Sequence, residues 1–204
     1  MGQTKASRVL VFYKPYGVLC SFTDSEGLRP TLKDYIPVSD VYAAGRLDLD
    51  SEGLLLLSND GDLIHRLTDP QHKVAKTYLV QVEGEVDQAA IAALEQGVEV
   101  KGRITQRSQV MLVPEPVLPE RDKPVTPHGP TSWVRIVLKE GKKRQIRHMT
   151  AAVGFPTLRL VRVSIGNITL EGLTPGQWRD ATPVELSRLR ELIATAARRK
   201  PGRV

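Results

Sequence analysis

Residues 54 to 57 are four leucines in a row, with Gly53 before them and the turn residues Asn59-Asp60-Gly61 just after. An apolar run of that length, bounded by turn formers, fits a strand buried on both faces. The stretch ahead of it, Gly45-Arg46-Leu47-Asp48-Leu49-Asp50-Ser51-Glu52, is dense in charge. Whatever fold the chain adopts must hang a charged loop from a strand in the middle of its core. Backing of that kind can hold a reactive carboxylate in place.

Two plainer readings of the same loop compete. Asp48, Asp50 and Glu52 followed by Gly53 resemble the first half of a calcium loop, which wants acids at positions one, three and five and Gly at six. Counting on, position nine is Leu56 and position twelve is Asn59, where a bidentate Glu should sit. The other reading is an acidic surface turn, which the spacing alone also permits.

A chain of 204 residues can bury about 70% of its unfolded surface in one compact unit. The net charge of +6 is unevenly placed. Arg198, Arg199, Lys200 and Arg203 form one basic patch, and Lys139, Lys142, Lys143, Arg144 and Arg147 form another. Local patches suit a polyanion better than a general basic coat does. Cys20 is the one cysteine, so no intrachain disulfide and no thiolate cage can form, and a reducing compartment fits. The first twenty residues carry no signal-peptide core, since Lys14-Pro15 breaks the apolar run. No stretch approaches the length of a membrane span. A cytoplasmic protein that does not engage a membrane is expected.

Taken in order, Arg8 to Tyr13 reads as a buried strand ending at Lys14-Pro15, where Pro15 cannot donate to a ladder. Residues 31 to 36 read as one helical turn, and 62 to 68 as a short helix with Leu63, Ile64 and Leu67 on one face. Lys76 to Val82 alternates with period two, a half-buried strand. Asp87 caps a helix that turns Ile91 and Leu94 inward. Further strands are expected at 98–100, 109–113, 133–138 and 158–170, with a helix over 143–153. Thr182-Pro183-Val184-Glu185 is a capping box with proline at the first helical position. Residues 114 to 132 hold six prolines and no apolar period, a long connection of the sort that is functional or disordered. The mixed order of elements argues α+β: a mixed, mostly antiparallel sheet in two lobes with a central cleft and flanking helices.

Gly-Arg-Leu-Asp, a serine three residues on, and then Gly-Leu-Leu-Leu-Leu-x-Asn-Asp-Gly together resemble the catalytic motif of the ribosomal small-subunit (RsuA) type of pseudouridine synthase. Lys14-Pro15-Tyr16-Gly17, Lys76-Thr77-Tyr78 and EGKKRQIRHM at 140–149 agree in the right order. The resemblance covers residues 8 to about 183, and VYAAGRLD and GFPTLRL are most similar to the E branch of the family's large-subunit rRNA synthases. It implies one catalytic domain over residues 7–196, without the small N-terminal RNA-binding (S4) domain many relatives carry, followed by a basic tail at 197–204. A monomer is expected.

The activity so implied is isomerisation of a specific uridine to pseudouridine in 23S ribosomal RNA, in the peptidyl-transferase region. The same chemistry on another RNA, such as 16S rRNA or tRNA, and a non-catalytic RNA-binding relative are the alternatives. The partner is then large-subunit ribosomal RNA. Atoms are conserved in the reaction, so neither cofactor nor metal is expected. His65, His72, His128 and His148 show no metal spacing. By resemblance Asp48 is the carboxylate beside the glycosidic bond, Arg147 its cationic partner, and Tyr78 the residue against the uracil. Ile146 packs on the base's other side, and Arg46 fills the stack that a flipped base vacates. Lys143 and Arg144 are expected to hold RNA, and Arg121, Lys123 and His128 of the proline-rich connection to reach RNA flanking the cleft. Asp50 and Glu52 lie outside the motif letters and read as loop residues, and Lys14 reads as structural.

Overall fold

The computed structural model describes residues 7–69, 72 and 74–198. In chain order its elements are β1 (Val9–Lys14), β2 (Tyr42–Ala43), β3 (Glu52–Ser58), α1 (Gly61–Thr68), β4 (Lys76–Glu83) and α2 (Gln88–Gln96). Then come β5 (Glu99–Val100), β6 (Arg103–Ile104), β7 (Gln109–Val113), β8 (Thr131–Leu138) and α3 (Gln145–Ala152). The chain closes with β9 (Thr157–Ile165), β10 (Ile168–Thr169), β11 (Trp178–Asp180) and α4 (Pro183–Arg198). Among the described residues nine strands form one sheet along the path β11-β1-β3-β9-β4-β8-β7, with β2 and β10 beside β3 and β9, and β5 and β6 make a separate hairpin. Its pairings are antiparallel except that of β3 with β9. The fold is α+β, as the element order implies.

The leucine run is the centre of the first half. Successive side chains of a strand point to opposite faces, so Leu54 and Leu56 enter a core with Val9, Val11, α1 and α4. Leu55 and Leu57 enter a second core with Leu10, Phe12, Leu32 and Ile36. All four are sealed from solvent, worth roughly 1.5–3 kcal/mol apiece before entropy is counted. The other half has its own core, built by β4, β8 and β9 against α2 and α3. The helices start where their caps dictate. Asp60 accepts from Leu63 N, Asp87 from Ala90 N, and Thr182 and Glu185 exchange the two bonds of a capping box.

The halves meet at a short parallel seam, Glu52 opposite Val161 and Gly53 opposite Arg162. Gly53 sits at φ +107°, and a Cβ placed there would stand 2.3 Å from the Arg162 carbonyl oxygen. Only glycine allows the strands to close. Across the seam the second half grips the first with arginines. Arg159 forms a fork on Glu52 at 3.0 and 2.9 Å, and Arg162 Nε donates to Leu54 O at 2.7 Å. Arg121 lies 4.0 Å from Glu52 and stacks its guanidinium 4.4 Å over the Tyr16 ring.

Four expectations change. Glu52 is not a loop residue: it is the first residue of β3 and is 2% exposed, a carboxylate that can be buried there because Arg159 neutralises it. The strand expected at 158–170 is two strands, β9 and β10, folded back on each other at Gly166 and Asn167. The helix expected from Lys143 begins at Gln145, since Arg144 takes a left-handed backbone (φ 55°, ψ 29°) that no helix continues. Residues 114–130 have no regular structure but are tied down, with Pro119 O accepting from Arg159 and the backbone N–H groups of His128 and Gly129 donating to Glu83. Of the basic tail, residues 199–204 lie outside the described residues.

Candidate active site

The Gly45–Ser51 loop forms one wall of a cavity of about 600 Å³. A turn bond from Ser51 N to Asp48 O, 3.0 Å, and one from Gly17 N to Leu49 O, 2.8 Å, fix its backbone. Leu47 N donates to Cys20 Sγ at 3.2 Å. Beneath the loop Lys14 is wholly buried, and its Nζ donates to Pro15 O and Val18 O at 2.8 Å each. Burial brings this amine down to about 8, against the pull of Cys20, Glu52, Asp50 and Asp48. Its two carbonyl partners make Lys14 the pin of the Lys-Pro-x-Gly turn.

Asp48, Arg46, Tyr78 and Ile146 all line this one cavity, though they come from the loop, β4 and α3. Tyr78 and Ile146 are buried, Asp48 is half-buried and Arg46 is exposed. Lys143 and Arg144 reach the same cavity along its rim. That rim is cross-braced, because Gln145 accepts from Lys142 N at 3.0 Å while buried Glu140 accepts from the Gln145 side chain and from Gln106 N.

Arg147 is placed differently from the expectation. Its nearest carboxylate is Asp50, with Nε 3.4 Å from Oδ2, and its Nη2 donates to Asp50 O at 2.6 Å. A third bond, from Nη1 to Thr157 O at 3.3 Å, holds it behind the loop rather than in the cavity wall. Asp48 is close enough for its charge to act on Arg147 but makes no ion pair within 4.0 Å among the described residues. Burial lowers Arg147 from its ordinary value, with Asp50 opposing. Arg144 also binds Asp50, a fork with both bonds at 2.9 Å. Partial burial works to raise Asp50, but the Arg144 hydrogen bonds and the Arg147 charge hold it below the usual carboxylate range.

Asp50 is therefore a functional residue that sequence reasoning misses, the counter-ion that two arginines share. With Asp50 and Glu52 committed to arginines, the loop does not gather its acids on one cation as a calcium loop would. Two further cations escape a reading of the sequence alone. Lys76 and Arg162 line the cavity floor beside Tyr78, and Arg162 is 4% exposed, with an Nη2 that meets no acceptor.

A model of the family described as RNA pseudouridylate synthase matches residues 8–152. The chain belongs to that family. Among its relatives, a ribosomal large subunit pseudouridine synthase E of Vibrio vulnificus is 52% identical over 175 residues, 85% of this chain and 74% of that protein. A protein of the same name from Xanthomonas campestris pv. campestris is 50% identical over 186 residues, covering 88% of this chain and 100% of its own. A crystal structure of a pseudouridylate synthase superposes with a TM-score of 0.77 at 28% identity, over 93% of this chain and 76% of that one. The protein is thus an RNA pseudouridine synthase, an isomerase, and the cavity carries the family's Gly-Arg-Leu-Asp loop in its wall. No helix among the described residues is long and apolar enough to cross a membrane.

Proposed function

We propose that this enzyme converts one specific uridine of large-subunit (23S) ribosomal RNA, in the peptidyl-transferase region, to pseudouridine. The observation that carries the reading is that Asp48, Tyr78, Ile146 and Arg46 converge on a single cavity from three separate elements. The names of the relatives support the choice of ribosomal RNA. A uridine extruded from its stack enters between Tyr78 and Ile146, two buried side chains that offer a flat face and an apolar one. Arg46, exposed at the mouth, takes the place the base has left. Asp48, held by the turn to Ser51, meets the electron-deficient ribose carbon with its carboxylate. Arg147 acts on Asp48 through the backbone of the loop it grips at Asp50. Exposed Lys139, Lys142 and Lys143 hold phosphate at the rim and carry no sequence information.

Mapping pseudouridine in ribosomal RNA from cells with and without this protein tests the reading. One 23S position should lose its modification and regain it with the intact gene but not with Asp48→Asn. A complete pseudouridine pattern in the cells that lack the protein would refute the substrate.

A further inference from the structure

The cavity floor carries two cations that the roles above do not use. Lys76 lies two residues before Tyr78 on β4, so both side chains rise from the same face of the sheet. Arg162 stands opposite Tyr78 in the β4–β9 register. It does so because of a bulge: Thr77 pairs with Ser164, yet the next residue, Tyr78, pairs with Arg162 rather than Val163. Bulges re-aim side chains, often beside active sites. Without this one an apolar valine would sit across from the tyrosine.

The two cations are poorly compensated. Among the described residues the Lys76 amine makes one long bond, 3.4 Å to Val74 O, and neither cation has a carboxylate within 4.0 Å. Arg162 uses Nε on Leu54 O and leaves Nη2 sealed and unpaired. Burial, and then repulsion from Arg162, bring the Lys76 amine down to about 8. Two like charges held side by side in a partly dry cavity raise the energy of the empty site, and an anion between them lowers it.

We propose that Lys76 and Arg162 form a cationic floor that stabilises uracil while it is detached from its ribose. The inference rests on the reading above. When the bond from ribose C1′ to N1 breaks, its electron pair leaves on N1 and spreads to O2 and O4, while the Asp48 carboxylate meets C1′. After the ring turns, C5 bonds to C1′ as the Asp48 carboxylate leaves that carbon, and N1 takes a proton while the C5 proton passes to solvent. Negative charge thus exists on the base only between the two bonds. A fixed pair of cations beneath it lowers that state more than it lowers bound uridine, which is the condition for raising kcat.

Lys76→Met removes one charge and keeps the length of the side chain. With the wild type confirmed to form pseudouridine on the same RNA, the variant should lose about 100-fold in kcat with KM nearly unchanged. Its melting temperature should stay level or rise, since the repulsion is gone. A lysine that served only packing would instead lower it. On RNA carrying 5-fluorouridine at the target, whose base leaves more readily as an anion but has no C5 hydrogen to release, the deficit in the rate at which the 5-fluorouridine is consumed should shrink. Lys76→Gln, which can keep the bond to Val74 O, gives the same comparison if the methionine variant does not fold. Turnover within about twofold of wild type, a loss confined to KM, or an equal deficit on both RNAs would overturn the proposal. A wild type that forms no pseudouridine would refute the earlier reading instead.

Discussion

At the scale of single residues, the site is a set of carboxylates with different duties. Asp48 faces the cavity, Asp50 binds two arginines, and Glu52 neutralises a third inside the core. Asp48→Asn should abolish turnover and leave RNA affinity little changed, as read by release of the carbon-five hydrogen and by filter binding. Asp50→Asn should keep a measurable rate but reduce kcat by about tenfold, because Arg144 and Arg147 lose the anchor that orients the loop. The same substitution should alter the acid limb of stability. Asp50 is held below its ordinary value of 3.8 by its arginines. Its contribution is thus present above that value and is lost as pH falls through the lower folded one. Acid titration followed by circular dichroism should show a shallower loss below that range in Asp50→Asn. Tyr78→Phe should be mild if the ring alone supports the base, and as severe as Tyr78→Ala if the hydroxyl moves a proton.

At the scale of elements, the strands that carry the site depend on one glycine. Gly53→Ala would press a methyl into the Arg162 carbonyl and should cost about 3 kcal/mol or more, visible as a fall in the urea midpoint. Much of this scale was legible beforehand. The leucine run declared itself because both of its faces are buried, α1 because Leu63, Ile64 and Leu67 share a face, and α2 and α4 because Asp87 and Thr182 are local caps. What was not legible depends on partners far along the chain. Glu52 is a strand residue only because Arg159, 107 positions away, meets it. Arg162 reaches the cavity only because β9 bulges against β4, and no alternation in its own segment records a shift in the neighbour's register. Lys76 shares a motif with Tyr78, yet nothing in that motif places its amine on the floor of a cavity that β3, α3 and β9 complete.

At the scale of the whole molecule, exposed lysines stand on the rim of the cavity and the structural charge is at the seam. Replacing Lys139, Lys142 and Lys143 by glutamine should flatten the dependence of log affinity on log salt by roughly 2.1–2.7 without changing single-turnover rate at saturating RNA. The proline-rich connection is packed where it meets the catalytic half. Arg121 was expected to reach RNA but is spent on Tyr16 and Glu52, which leaves Lys123 and His128 as the exposed side chains of that set. Across the seam, beside the apolar contacts that Ile165 and Ile168 make in the first core, arginine side chains hold carboxylates and carbonyls of the opposite half. Guanidinium chloride is, chemically, a solution of those same head groups. At concentrations too low to unfold either core it should compete for Asp50, Glu52 and Leu54 O, loosen the loop and silence the enzyme while its circular dichroism is intact. Urea, which carries no charge to exchange, should take activity and structure away together.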